Sequence, residues 1–231
     1  MQNLLSPMEW QAVLLSIKVA FWATLTMTPL ALLTAYALVR WEFPGKSILN
    51  GLAHLPLILP PVVTGYMLLL LFGTQGLVGG WLQDIGIVLA FRWTGAALAA
   101  GVMAFPLMVR ALRLSLEAID IRLEQAAATL GASPVWIFVT VTLPLMIPGV
   151  LTGTILAFAK ALGEFGATIT FAANIPGQTQ TIPSAIYALL QVPGQEAVAA
   201  RLVVISVCLA LTALFLSEAL ARRARKRLEG I

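Results

Sequence analysis

Charged residues are scarce in this sequence: Asp, Glu, Lys and Arg make up 10% of its 231 residues, whereas a soluble domain carries about a quarter. That deficit excludes a water-soluble globular fold, because too few polar side chains remain to cover its surface. Cysteine occurs once, as Cys208, so neither a disulfide framework nor a cysteine metal cluster can form within one chain. Cys208 lies in an apolar run and is expected to be a small buried residue. Histidine also occurs once, as His54, which excludes a multi-histidine metal site and reads as a packed or interfacial residue. No segment fits G-x-x-x-x-G-K-[ST], so ATP has no phosphate-binding loop in this chain. No nucleophile–base–acid set is suggested either, and neither enzymatic activity nor a bound cofactor or metal is expected.

Apolar residues, by contrast, make up 60% of the chain, and the mean hydropathy is +0.94. These values indicate an all-α integral membrane protein. A spanning helix needs roughly 20 mostly apolar residues. Uncharged runs at Val19–Val39, Trp93–Val109 and Val141–Ala159, together with Leu202–Ser217, supply four spans. Ser47–Gln83 is also uncharged but too long for one span. Its glycines Gly73, Gly76, Gly79 and Gly80 should end a second span near Phe72. Phe165–Gln195 is rich in proline and glycine, and is expected to be irregular with a short helix near Ser184–Leu190. Five spans result, with a sixth through 178–192 as the alternative. The N-terminal MQNLLSPMEWQ has no basic region and reads as an uncleaved anchor rather than a signal peptide.

Basic residues set the orientation. Arg40, Lys46, Arg110, Arg113, Arg122 and the tail (Arg222, Arg223, Arg225, Lys226, Arg227) fall on one side. Lys18, Arg92, Lys160 and Arg201 fall on the other. Ten against four makes the first side cytoplasmic. The N-terminus is then periplasmic and the C-terminus cytoplasmic. Beside a last span, the basic tail reads as a topology signal and lipid-headgroup contact, not as a nucleic-acid arm.

Residues 117–140 then form the largest cytoplasmic segment. Asp120 and Glu124 suit a helix start. Leu123, Ala127 and Leu130 share one face, and Gly131 is placed to end the helix. Ser133 and Pro134 read as N-cap and first residue of a second short helix. By pattern alone this is either a connector on the membrane surface or a docking knob, and the small residues Ala126, Ala127 and Ala128 favour docking.

This stretch resembles the cytoplasmic EAA loop of bacterial ABC importer permeases, which runs E-A-A, three residues, glycine, nine residues, then I-x-L-P. Here the positions are Gln125, Ala126, Ala127, Gly131, Val141, Leu143 and Pro144. Gln125 takes the usual glutamate position, with Glu124 just before it, and Val141 replaces isoleucine. Further stretches at His54–Tyr66, Phe105–Asp120 and Ala161–Tyr187 resemble the permeases of molybdate importers. The resemblance implies a type I ABC importer permease fold, with residues 1–231 as a single transmembrane domain. It implies that Glu124, Gln125, Ala126, Ala127, Gly131, Ser133 and Pro134 couple to an ATPase subunit that carries the ATP and Mg. The implied assembly holds two copies of this chain, two ATPase subunits and a periplasmic molybdate-binding protein in the bacterial inner membrane.

The residues themselves say less about cargo. An oxyanion path needs hydrogen-bond donors. Pro56, Pro60, Pro61 and Gly65 should break or kink the second span and free backbone groups near Thr64. Thr168, Thr170, Thr179 and Thr181 add hydroxyls on the outer side, although threonines in helices often bond their own backbone. Lys160 and Glu164 should pair across one helix turn, or Glu164 could line the outer gate. Thr64, Glu164, Thr168 and Thr170 are thus the candidates for the translocation path or gate. Tungstate, sulfate and thiosulfate remain alternative cargoes, and a non-transporting scaffold that recruits a partner through the same loop remains the rival class.

Overall fold

A computed structural model describes residues 5–229. Residues 1–4 and 230–231, and the side chains of Ser217, Ala221 and residues 224–229, lie outside the described set. The helices are α1 (Pro7–Arg40), α2 (Lys46–Ile58), α3 (Pro61–Phe72), α4 (Leu77–Asp84), α5 (Trp93–Glu117), α6 (Ile121–Thr129) and α7 (Pro134–Ile137). A π turn (Phe138–Thr142) follows, then α8 (Leu143–Leu162), α9 (Gly166–Ala172), α10 (Ile182–Leu190) and α11 (Glu196–Glu229).

Four continuous stretches are long and apolar enough to cross a membrane: Pro7–Arg40, Trp93–Glu117, Pro134–Leu162 and Glu196–Leu220. The expected second span is not one helix but two, α2 and α3, bent by 118°, a broken span or a re-entrant pair. The break falls at Leu59–Pro60, where two consecutive prolines start α3, while Pro56 is accommodated inside α2. The span does end at Phe72, but Gly79 and Gly80 lie inside the short α4 instead of breaking the chain. At nine residues, α10 reaches about 14 Å at 1.5 Å per residue, less than half of a ~30 Å hydrocarbon core. A sixth span therefore does not form here.

Small residues build the centre. α1 packs against α5, and α5 against α8. Ala20, Ala23, Ala31 and Ala35 of α1 meet Ala96, Ala100 and Ala104 of α5 in the main core. At Gly101 the helices come close enough that an added Cβ would stand 2.9 Å from Met27 Cγ and 3.4 Å from the Ala23 carbonyl. Such small-residue seams are how membrane helices gain packing without a hydrophobic driving force between them. Threonine hydroxyls in α1 donate back to their own helix, as in Thr24 to the Ala20 carbonyl (2.7 Å) and Thr34 to Leu30 (2.8 Å).

The two ends of the bundle differ. At one end, Lys18 Nζ lies 3.7 Å from the centroid of the Trp93 ring. Arg201 of α11 pairs there with the buried Glu9 of α1 (3.2 Å). Ser16 Oγ accepts the Ile182 N–H (2.7 Å) and pins α10 beside α1. At the other end, Arg40, Arg113 and α6 gather. From Lys18 to Arg40 the helix rises roughly 33 Å, close to one membrane thickness.

Cys208 is exposed, contrary to the sequence expectation. α11 contacts α8 and α10 along one side only. The remaining apolar positions, Val204, Val207, Leu211 and Phe215 among them, face outward. An apolar residue on a membrane helix need not be covered by its own chain.

Candidate functional site

The segment that follows α5 is built from local signals. Asp120 Oδ1 accepts the Arg122 N–H (2.9 Å) and caps α6. The helix closes with a double backbone bond: the Gly131 N–H reaches the Ala128 carbonyl (3.0 Å) and the Ala132 N–H the Ala127 carbonyl (3.2 Å). This is the Schellman arrangement, which needs a left-handed residue after the helix end. Gly131 supplies it with φ +84°. Ser133 then caps α7 through the Trp136 N–H (3.4 Å), and Pro134 opens that helix.

The outcome is a helix–turn–helix whose turn faces outward. Leu130 is 89% exposed, and Val135 and Trp136 are exposed as well. Ala127, Leu130, Gly131, Ser133, Trp136 and Thr140 line a shallow groove of about 690 Å³. Gln125 and Ala126 are exposed, and Ala127 is half-buried. Glu124 points the other way. Its carboxylate takes Arg40 Nε (3.1 Å) and Nη2 (3.1 Å) from the end of α1. It also takes the Thr142 hydroxyl (2.9 Å) from the foot of α8. Sequence reasoning placed Glu124 in the segment but missed both partners. Arg40 lies 84 residues away, and from the sequence it reads only as a topology charge.

The second group of candidates meets where α3 crosses α9. An added Cβ on Gly65 would stand 2.6 Å from the Ala167 carbonyl and 2.9 Å from Thr170 Cβ. One on Gly166 would stand 2.7 Å from Pro61 Cβ. That contact gathers Thr64, Thr168 and Thr170 in one region, with Glu164 just before α9. Glu164 is 2% exposed. It accepts Lys160 Nζ (2.6 Å) and the Ala167 N–H (3.1 Å), so the i,i+4 pairing expectation holds and the carboxylate also holds the start of α9.

The hydroxyls divide. Thr168 donates to Phe165 (2.9 Å) and Thr170 to Gly166 (2.8 Å), both within their own turn. Thr179 accepts the Ile175 N–H (2.9 Å), and Thr181 caps α10. Thr64 is 5% exposed, and its hydroxyl has no partner among the described residues. The Thr64 N–H itself bonds the Pro60 carbonyl (3.2 Å). At Thr64 it is therefore the side chain, not the N–H, that is left free. Thr64 borders a cavity of about 470 Å³ between α2 and α3, otherwise lined by Leu52, Leu55, Met67, Leu71 and other apolar residues.

An exposed apolar turn at one end and a broken helix pair among the apolar helices fit a membrane component, and the comparisons decide the family. Residues 27–226 match the model of the binding-protein-dependent transport system inner membrane component. This chain belongs to that family. It is 58% identical over 225 residues to the molybdenum transport system permease protein ModB of Escherichia coli K12, covering 97% of this chain and 98% of that one. It is 54% identical over 222 residues to ModB of Haemophilus influenzae, covering 96% and 97%. Among solved structures, a bacterial ABC transporter involved in import of the polysaccharide alginate superposes with a TM-score of 0.75 at 16% identity, over 95% of this chain and 80% of that one. The fold is therefore that of ABC importer permeases, all-helical and multi-pass in the inner membrane. The chain is a transport component that works with a binding protein, not an enzyme.

Proposed function

We propose that this chain is the permease subunit of an ATP-driven importer that carries molybdate across the bacterial inner membrane by alternating access. Full-length similarity to molybdenum permeases is the observation that carries the cargo assignment. In this reading two copies of the chain enclose the path, each as one transmembrane domain over 1–231. Two ATPase subunits carry the ATP and Mg, and a periplasmic molybdate-binding protein delivers the ion. The basic end of the bundle faces the cytoplasm, which puts the N-terminus in the periplasm and the C-terminus inside. An Ala224→Cys chain in a Cys208→Ala background should then react with impermeant maleimides only from the cytoplasmic side. Labelling of intact spheroplasts would reverse the orientation.

Residues 117–140 dock on the ATPase. Gln125, Ala126, Ala127, Gly131, Ser133 and Pro134 shape the contact, supported by an exposed apolar turn that has no reason to face water unless a partner covers it. Glu124 belongs to the same machinery from its inner face. Thr64, Glu164, Thr168 and Thr170 border the path or its outer gate. Thr64 is the best supported of the four, because a buried hydroxyl without a partner costs energy that a passing oxyanion would recover. In a purified complex with its ATPase and binding protein, molybdate-loaded binding protein should raise ATP turnover several-fold over unloaded protein. Turnover indifferent to the ion would favour a scaffold instead.

A further inference from the structure

We propose that Glu124 is a positioning residue: a strap that ties the docking helix α6 to α1 and α8, so that movement of the docking segment is delivered to both spans. The proposal rests on the reading that residues 117–140 dock on the ATPase. Three observations support it. Glu124 and Arg40 are each only about an eighth exposed, and two guanidinium nitrogens hold the carboxylate. The same Arg40 also donates to the Leu116 carbonyl in the last turn of α5 (3.4 Å). Thr142, 1% exposed, donates its hydroxyl to the same carboxylate from the π turn. Glu124 is thus the point at which α6, α1 and the foot of α8 meet, while the exposed face of the segment looks elsewhere.

The π turn gives the strap something to act on. Pro144 has no N–H and its ring crowds the carbonyl four residues back, so an α-helical bond cannot form there. The chain widens instead, and the Leu143 N–H reaches Phe138 five residues back. Such wide turns are local departures from the α-helical ladder and concentrate at functional sites. Here it joins the docking helices to a membrane span. A bidentate, partly buried ion pair is also stiff enough to carry displacement, because both guanidinium bonds must break together.

A static brace would affect only assembly and stability; a strap affects how much transport each ATP yields. The test uses the full complex in proteoliposomes and measures ATPase binding and the ratio of molybdate moved to ATP hydrolysed. Glu124→Gln keeps the size but loses the ion pair, and is expected to retain the ATPase while the ratio falls at least tenfold. Thr142→Val removes one hydrogen bond at constant shape, with an expected fall of about threefold, in the range of a modest hydrogen bond. The exchanged pair, Arg40→Glu with Glu124→Arg, should recover at least half of the wild-type ratio, whereas either single reversal should not. An unchanged ratio in Glu124→Gln overturns the proposal, and so does loss of ATPase binding, which would put the carboxylate in the docking contact. If Glu124→Gln fails to insert, an unchanged ratio in Thr142→Val overturns it. A wild-type chain that binds no ATPase fails the docking reading, and the strap with it.

Discussion

Gly131→Trp should abolish ATPase binding while leaving membrane insertion intact. Gly131 holds φ +84° at the end of α6, a region that costs an L-residue about 1–2 kcal/mol. Nothing lies within 4 Å of an added Cβ, so the indole would not clash with its own chain. It would project from the turn, beside the exposed Leu130 and Trp136, on the surface proposed to meet the ATPase. Gly131→Ala imposes the same backbone strain without the bulk and serves as the control. A pull-down with tagged ATPase should lose the tryptophan variant by on the order of 100-fold, equivalent to about 2.7 kcal/mol, and the alanine variant by far less. Normal recovery of Gly131→Trp would show that the turn is not the docking surface.

Gly65→Val should stop transport for the opposite reason, because space is missing. The added Cβ would meet backbone, the Ala167 carbonyl at 2.6 Å and its Cα at 2.9 Å, and backbone cannot swing away as a side chain can. Overpacking of this kind costs about 1–3 kcal/mol. Its effect would fall where α3 and α9 hold Thr64 beside the break in the second span. The complex should still assemble on its ATPase, since α6 and α7 are remote, but uptake should drop at least about tenfold, the equivalent of roughly 1.4 kcal/mol. Wild-type uptake would mean that the α3–α9 contact can loosen freely and plays no part in the path.

The difference between these two sites is also a difference in legibility. Asp120, Gly131, Ser133 and Pro134 act on neighbours within a few residues, so the capped helix, its left-handed stop and the second cap could be written down from the sequence. The strap could not, because Arg40 and Thr142 stand 84 and 18 residues from Glu124, and only tertiary packing brings them there. The tandem prolines at 60 and 61 announced a break in the second span, but not its 118° angle. That angle depends on what α2 and α3 rest against. Cys208 is exposed rather than buried; hydropathy does not distinguish a side chain covered by protein from one facing the membrane. Thr168 and Thr170 follow the ordinary habit of helical threonines, and only coordinates single out Thr64 among these candidates as the hydroxyl left without a partner.

The most direct measurement is molybdenum uptake by cells that lack their own high-affinity system and carry this chain with its ATPase and binding protein. Excess sulfate and excess tungstate would be added in turn as competitors. A molybdate permease gives uptake that survives sulfate and yields to tungstate, which shares charge and shape with the cargo. Uptake abolished by sulfate, or absent from a correctly assembled complex, would contradict the assignment.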